Sequence, residues 1–286
     1  MRSFSRSITL SLLAFGLLAS GRAHAAVLFR DPQFPVKVTN DIRYGTGEIR
    51  YSTTTERPLL LDLYQPEVHD WKTKHPVVIA IHGGGFFGGD KAEMSGLCRQ
   101  MAARGYVCVS INYRLMEDNS PAEAPDQFTG AIYAAVQDAE TAARWIERHA
   151  AAYKIDTGKM VVAGASAGAV TSLALAYSPK VKNLKVRAVG DLWGTLGPRV
   201  HWIHRGGPPI FIVHGGSDPV ISVADARQIA ARAEQAGVPH EVHIIEGMGH
   251  GVPLNFDIGG ETLLQRLADF FYKELNLKSQ ARTPQG

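Results

Sequence analysis

Residues 161–168 read Val-Val-Ala-Gly-Ala-Ser-Ala-Gly, and this stretch decides the fold. An apolar run typical of a buried strand leads into Gly-x-Ser-x-Gly, and residues 169–176 then have the pattern of a buried helix. A strand that turns into a helix within one or two residues places the corner residue, Ser166, in a strained backbone conformation. Gly164 and Gly168 leave room for the helix to fold back against the sheet. We therefore predict an exposed Ser166 hydroxyl at a helix N-terminus, with an ordinary Gly-Ser turn as the alternative.

Apolar strands alternate with amphipathic helices on both sides of this stretch. This alternation predicts an α/β fold in one domain, with a mostly parallel central sheet, helices on both faces and no large cap domain. Further strands are predicted within 38–51 and at 59–64, 76–81, 106–111, 186–192, 209–213 and 240–245. Further helices are predicted at 131–151, 223–236 and 261–275.

The first 25 residues have the pattern of a secretory signal peptide. A basic start at Arg2 and Arg6 precedes an apolar core over residues 8–19 and a small-x-small cleavage site at 23–25. The apolar run is shorter than the about 20 residues of a membrane span, so no integral membrane anchor is expected. We predict a signal peptide over residues 1–25, a single catalytic domain over 26–286, and secretion to the periplasm or the extracellular space.

The composition, with 45% hydrophobic and 20% charged residues, is that of an ordinary globular protein. Cleavage after Ala25 would remove three arginines and no acidic residue, so the formal net charge falls from +3 to 0. A chain without net charge or a long basic run gives no reason to expect a nucleic acid as a partner.

Two cysteines, Cys98 and Cys108, lie in a predicted helix and in the strand that follows it. Because the helix returns along that strand, their Cα atoms could reach the separation of about 5.5–6 Å that a disulfide prefers. In an oxidising compartment a disulfide is one outcome, and two buried thiols that pack as small apolar residues are the other. The sequence leaves both open.

Ser166, Asp218 and His250 form a candidate catalytic set, because each follows a predicted strand. The carboxyl ends of parallel strands meet at one edge of a sheet, so we expect these side chains to converge. A serine needs a base within hydrogen-bond reach, oriented by a third group, to act as a nucleophile. The order serine, acid, histidine along the chain is that of α/β-hydrolases. Asp191, at the end of the preceding strand, is the alternative acid.

Residues 82–85 read His-Gly-Gly-Gly and follow another predicted strand. Glycine runs also bind phosphates, but such a loop would continue into Gly-Lys-Ser/Thr, whereas residues 89–92 read Gly-Asp-Lys-Ala. Beside a nucleophilic serine the run predicts an oxyanion hole, in which the amides of Gly84, Gly85 and Ala167 point at the developing alkoxide. The histidine of the run would orient this loop.

The chain resembles the α/β-hydrolase serine esterases in four motifs, at residues 82–85, 164–168, 217–219 and 249–251. The triple glycine is similar to that of the hormone-sensitive-lipase branch and of bacterial acetyl and feruloyl esterases. The resemblance covers nearly all of residues 38–275 and implies hydrolysis of a carboxylic ester through an acyl-enzyme. The chain departs from the hormone-sensitive-lipase pattern at Ala165, where that branch usually has aspartate, and its N-terminal segment is short for a helical cap.

The acyl and alcohol groups of a substrate cannot be read from this sequence. Phe86, Phe87 and Trp193 lie near predicted strand ends and are candidate substrate contacts, as are Tyr113 and Trp202. No segment is long enough for a helical lid, so we expect an open site with little apolar surface. Such a site suits short acyl groups, or a compact aromatic acyl group on an alcohol such as a sugar. The expected partner is a small-molecule ester or an acylated glycan.

No Cys, His, Asp and Glu set has metal-ligand spacing, so neither a metal nor an organic cofactor is expected. Two other classes of function stay open. A serine peptidase of the prolyl-oligopeptidase kind shares the fold and the residue order, but usually carries a large additional domain. A non-catalytic binding protein could also use a hydrolase scaffold, although the complete catalytic set favours an esterase.

Overall fold

The computed structural model describes residues 26–50, 55–68, 73–118 and 124–277, and eight strands within them form one sheet. The predicted signal peptide, residues 1–25, lies outside the described residues. The strands are β1 (Val36–Glu48), β2 (Glu56–Pro66), β3 (His75–Ile81), β4 (Val107–Ile111), β5 (Ile155–Ala165), β6 (Val186–Leu192), β7 (Ile210–Gly215) and β8 (His240–Ile245).

The strand order in the sheet is β1-β2-β4-β3-β5-β6-β7-β8. Strand β2 pairs antiparallel with β1 and with β4, and every other neighbouring pair is parallel. The α-helices are α1 (Ser95–Ala103), α2 (Gln127–His149), α3 (Ala167–Tyr177), α4 (Val223–Ala236) and α5 (Leu263–Glu274). Short 3-10 helices span Lys91–Met94, Met116–Asp118 and Gly197–Trp202.

The sheet separates two apolar cores, because successive side chains of a strand point to opposite faces. Val77 and Ile79 of β3 pack in the core that contains α2, α3 and α4. Val78 and Ala80 pack in the core that contains α1 and α5. The prediction of a mostly parallel sheet covered by helices on both faces is confirmed, and no cap domain is built among the described residues.

Helix α2 begins four residues earlier than the sequence predicts. Asp126 adopts an extended conformation, and its carboxylate accepts a hydrogen bond from the amide of Thr129 at 2.8 Å. This N-cap fixes the helix start at Gln127, so Gly130 lies inside the first turns rather than before the helix. Phe128 is therefore part of α2, and its ring lines a cavity beside this helix.

A buried ion pair joins the end of β4 to α2. The backbone amide of Arg114 donates to Asp138 Oδ2 at 2.7 Å, and its guanidinium donates to Oδ1 at 2.7 Å. Both side chains are almost fully buried, and the bidentate geometry and the added backbone bond offset part of their lost hydration. Burial still raises the pKa of the Asp138 carboxyl above its ordinary value. Asp138 is therefore the structural hydrogen-bonding residue that fixes α2 against the sheet.

Cys98 of α1 and Cys108 of β4 form a disulfide, with their Cα atoms 5.2 Å apart. Both residues are fully buried in the core beneath α1. Of the two outcomes that the sequence leaves open, the structure has the cross-linked one. The disulfide joins the helix to the strand that follows it.

We predict that the mature protein, purified without reductant, contains this disulfide. Its intact mass should lack two hydrogen atoms relative to the reduced chain, and iodoacetamide in denaturant should label both cysteines only after reduction. Because both residues are buried, the alkylation has to be done on unfolded chain. Two thiols that react without prior reduction would contradict the cross-link.

Candidate active site

Ser166 lies at the corner between β5 and α3, as the sequence predicts. Its backbone has φ 54° and ψ −117°, a conformation that costs an L-residue about 1–3 kcal/mol. The corner is tight: a Cβ on Gly164 would lie 2.2 Å from the backbone of Gly168, and one on Gly168 would lie 2.1 Å from the carbonyl oxygen of Ile81. Two residues without side chains therefore let α3 approach the sheet and present the Ser166 hydroxyl above it.

His250 lies between Ser166 and Asp218. Its Nε2 is 2.8 Å from Ser166 Oγ, and its Nδ1 is 2.7 Å from Asp218 Oδ2. A carboxylate oxygen can only accept, so Nδ1 carries the proton and the neutral ring offers the Nε2 lone pair to the serine hydroxyl. The structure thus brings together the three predicted residues in the geometry that proton transfer from Ser166 needs.

Asp218 accepts three hydrogen bonds and lies beside a second histidine. The amides of Val220 and Ile221 donate to Oδ1 at 2.8 and 3.0 Å, while Oδ2 accepts from His250 and lies 3.2 Å from His214 Nε2. The Asp218 side chain has no exposed surface. Burial raises the pKa of its carboxyl, but the hydrogen bonds from His250 and the two amides outweigh burial and hold that pKa below its ordinary value. Asp218 is therefore a carboxylate at neutral pH.

His214 is a site residue that the sequence analysis did not identify. Its Nε2 lies 2.9 Å from the carbonyl oxygen of Ile221, which can only accept, so Nε2 carries a proton and donates it to that carbonyl. Asp218 Oδ2 lies 3.2 Å from the same nitrogen. The ring is fully buried, and its Nδ1 has no hydrogen-bond partner among the described residues. The available signal was its position at the end of β7, four residues before the acid.

The loop after β3 turns back toward Ser166 through residues with left-handed backbone conformations. Gly84 has φ +99°, Gly85 has φ +61° and Phe86 has φ +66°. In the described part of the chain, the amides of Gly84 and Gly85 donate no hydrogen bond to another backbone or side-chain group. Gly85 and Ala167 line the same cavity as Ser166, whereas Gly84 is exposed and is not among the lining residues.

His82 and Tyr113 brace this loop from beneath. The two rings stack with centroids 4.3 Å apart, and the Tyr113 hydroxyl donates to the carbonyl oxygens of His82 and Gly83, each at 3.0 Å. His82 Nδ1 donates to the Gly83 carbonyl at 2.8 Å, and burial lowers the pKa of the ring. Tyr113 is thus a loop support and not a cavity residue, and His82 orients the loop without contacting Ser166.

Asp191, the alternative acid, does not contact His250. It lies fully buried at the end of β6, where Oδ1 accepts from the Gly194 amide at 2.8 Å and Oδ2 has no partner among the described residues. Burial without a cationic neighbour raises the pKa of Asp191 to about 7. The structure therefore places Asp218, and not Asp191, beside the imidazole.

Ser166 opens into a cavity of about 890 Å³ between α2, α3 and the 3-10 helix Gly197–Trp202. Among the described residues, the three large apolar side chains that are exposed, Phe87, Phe128 and Val220, all line it. Of the predicted substrate contacts, Phe86 and Phe87 line the cavity, and so does Trp202. The expectation of little apolar surface beside the serine is wrong, because α2 and α3 together form an apolar floor. The sequence pattern did not show that these two helices lie side by side.

Trp193 is not among the cavity-lining residues. Its backbone has φ 51°, its amide donates to the Val213 carbonyl at 2.7 Å, and its side chain packs against the core beneath α5. The prediction of Trp193 as a substrate contact is therefore corrected: the turn after β6 directs this ring away from the cavity.

The described residues contain no cluster of three or more His, Cys, Asp and Glu side chains that could hold a metal ion. No helix in the same part of the chain has the length and apolar character to cross a membrane.

We predict that Asp191 makes folding stability depend on pH. Its raised pKa means that the folded protein keeps a proton that the unfolded chain releases above its ordinary pKa of 3.8. The contribution of the protonated Asp191 carboxyl to the unfolding free energy is thus fully present below about pH 4 and is lost as the pH rises toward about 7. From pH 4 to 8 the unfolding free energy should fall more in the wild type than in Asp191→Asn, by up to about 4 kcal/mol.

Urea unfolding at several pH values measures this difference, and Asp257→Asn, at an exposed position, is the matched control with an unchanged slope. Equal slopes for the wild type and Asp191→Asn would mean that Asp191 is ionised in the folded state throughout this range.

The chain is similar in sequence and in structure to proteins that are named esterases. The BD-FAE family model matches residues 61–194. The chain is 35% identical over 120 residues to Esterase LipI of Mycobacterium tuberculosis, an alignment that covers 42% of this chain and 34% of the relative. It is 25% identical over 244 residues to Esterase LipQ of the same organism, covering 70% of this chain and 53% of that protein. The chain thus spans a third to a half of these relatives' lengths.

Among solved structures, the apo form of Thermogutta terrifontis esterase 2 matches with a TM-score of 0.64 and 25% identity, covering 87% of this chain and 97% of that one. The same esterase phosphorylated by paraoxon matches with a TM-score of 0.65 at 25% identity, covering 87% and 96%. The chain therefore has the α/β-hydrolase fold, and its predicted resemblance to the α/β-hydrolase esterases is confirmed.

Proposed function

We propose that this protein is a secreted serine carboxylesterase that hydrolyses its substrate through an acyl-enzyme. The observation that carries the proposal is the continuous chain of contacts from Ser166 Oγ through His250 to Asp218, beside a cavity. The similarity to proteins named esterases supports the same class of reaction. Secretion rests on the pattern of residues 1–25 and agrees with the Cys98 to Cys108 disulfide, since disulfides persist in oxidising compartments.

In the proposed reaction Ser166 Oγ attacks the ester carbonyl carbon while its proton moves to His250 Nε2. The imidazolium that forms is stabilised by Asp218, which also holds the ring in the tautomer that leaves Nε2 free. His250 then gives the proton to the leaving alcohol oxygen. Water, deprotonated by the same nitrogen, attacks the acyl-serine and releases the acid.

The oxyanion of the tetrahedral intermediate would be bound by backbone amides. Gly85 and Ala167 line the cavity beside Ser166, and the Ala167 amide belongs to the first turn of α3, where the helix dipole favours negative charge. The amide of Gly84 is the third proposed donor. The left-handed conformations of Gly84 and Gly85 turn this loop back toward Ser166. Each donor contributes about 2.7–4 kcal/mol to lowering the barrier.

The proposed substrates are small-molecule esters or acylated glycans with short-chain or aromatic acyl groups. An aromatic acyl group could contact Phe86, Phe128 and the exposed Phe87 beside them. The Phe86 and Phe128 rings meet edge to face, with centroids 5.7 Å apart. Edge-to-face contacts of this kind add about 0.5–1.5 kcal/mol to the area buried. The cavity is longer than acyl groups of this size.

We predict that Ser166→Ala abolishes ester hydrolysis while the protein stays folded. Loss of the nucleophile should lower kcat for 4-nitrophenyl acetate by several orders of magnitude. The matched control is Ser172→Ala on the same helix, whose buried hydroxyl donates only to the Gly168 carbonyl. Turnover near the wild-type rate in Ser166→Ala, with circular dichroism unchanged, would contradict the mechanism.

We also predict that Asp218→Asn reduces kcat for the same ester by roughly 10²–10⁴, because an amide at this position favours the wrong His250 tautomer. Asp191→Asn should stay within about tenfold of the wild type, since Asp191 does not touch His250. A larger loss in Asp191→Asn than in Asp218→Asn would reassign the acid.

A further inference from the structure

The cavity extends along the whole of α3. Ser166 caps the N-terminus of this helix, and the cavity-lining residues Ala167, Val170, Ala174 and Ser178 follow at intervals of three and four. Residues so spaced lie on one helix face. At 1.5 Å per residue, Ser166 and Ser178 are about 18 Å apart along the helix axis. A short acyl group bound at Ser166 fills less than half of that length.

Helix α2 and the 3-10 helix Gly197–Trp202 form the remaining walls. Near Ser166 the walls are apolar, with Phe86 and Phe128 from the loop after β3 and from α2. Beyond the C-terminus of α3 the lining changes, because Lys180 and Arg199 both belong to the cavity. The cavity is thus apolar at the nucleophile and basic at its far end.

Lys180 and Arg199 share one aromatic ring. Lys180 Nζ lies 4.6 Å from the centroid of the Tyr133 ring, and Arg199 Cζ lies 5.7 Å from the same centroid. Arg199 Cζ is also 5.8 Å from the Trp202 ring. The aromatic faces hold the two cations, but they leave their hydrogen-bond donors without a carboxylate.

The nearby carboxylates have other partners. Glu140 lines the cavity and forms a salt bridge with Arg144 at 3.2 Å. Asp126 interacts electrostatically with Arg199, but its two oxygens accept from the Thr129 amide and hydroxyl, each at 2.8 Å. In the described residues neither Lys180 nor Arg199 forms a salt bridge. The two positive charges at this end of the cavity therefore have no carboxylate in direct contact.

We propose that Lys180 and Arg199 bind a carboxylate of the substrate, so that the enzyme's substrates include elongated esters whose acid or alcohol part ends in a carboxylate. This proposal rests on the proposed esterase function. A planar carboxylate matches the guanidinium donors of Arg199, and the Lys180 ammonium adds a point charge. A substrate whose carboxylate lay in the apolar stretch between Ser166 and these cations would bind more weakly, because a carboxylate buried among apolar groups loses its hydration.

The test compares charged and neutral esters of equal length. One series pairs 4-nitrophenyl half-esters of dicarboxylic acids with 4-nitrophenyl alkanoates. The other pairs acetate esters of ω-hydroxy acids with acetate esters of plain alcohols, in case the alcohol part occupies the cavity. At about 1.2 Å per bond, roughly fifteen bonds span the 18 Å between Ser166 and Ser178. The measured quantity is the ratio of kcat/KM for the charged ester to that for the neutral one.

In one of the two series this ratio should be below one for short chains and should rise about tenfold or more at a chain length of roughly thirteen to seventeen bonds. Arg199→Met should lower the raised ratio about tenfold, and Lys180→Met by about threefold because Lys180 is exposed. Lys182→Met, a matched loss of charge outside the cavity, should not change it. Salt at about 0.5 M should reduce the ratio in the wild type.

A ratio that stays below one at every length in both series would overturn the proposal, as would an equal effect of Lys182→Met. In either case continued hydrolysis of the neutral esters by all variants leaves the esterase function intact. If the folded wild type hydrolyses no ester of either series, the proposed function fails first, and the carboxylate site fails with it.

Discussion

The backbone of Ser166 is the constraint on which the rest of this structure depends. A residue with φ 54° is stable there only because β5 below it and α3 above it leave no other path for the chain. That path exists because Gly164 and Gly168 have no side chains where the helix meets the sheet. The same corner sets the serine hydroxyl, the Ala167 amide and the axis of α3. It therefore fixes both the position of the Ser166 hydroxyl and the direction of the cavity.

The other site residues reach this corner because parallel strands bring their carboxyl ends to one edge. Asp218 and His250 follow β7 and β8, and the glycine loop follows β3. Two of these groups also contact residues that do not line the cavity: His214 lies beside Asp218, and His82 with Tyr113 lies beneath the loop. Such supports keep the serine, imidazole and carboxylate in line before substrate arrives, which is the arrangement that electrostatic catalysis requires.

The sequence predicted the parts of this structure that depend on local patterns. Apolar runs identified the strands, and motif order identified Ser166, Asp218 and His250, whose contacts the structure displays. What depends on packing between distant elements was not predictable. The apolar floor shared by α2 and α3 depends on which helices lie side by side. The position of Trp193 and the contact of His214 with Asp218 depend on the path of the chain after β6 and β7, which the apolar pattern does not show. The N-cap at Asp126 was a local signal, and Gly130 obscured it.

The most direct test of the account is covalent labelling of the serine. A 4-nitrophenyl alkylphosphonate should add once to the wild-type protein, and peptide mass spectrometry should place the adduct on Ser166. We expect no adduct in Ser166→Ala and much slower labelling in His250→Ala, since the proposed role of the imidazole is to remove the hydroxyl proton. An adduct on another residue, or labelling of Ser166 at the wild-type rate without His250, would contradict it.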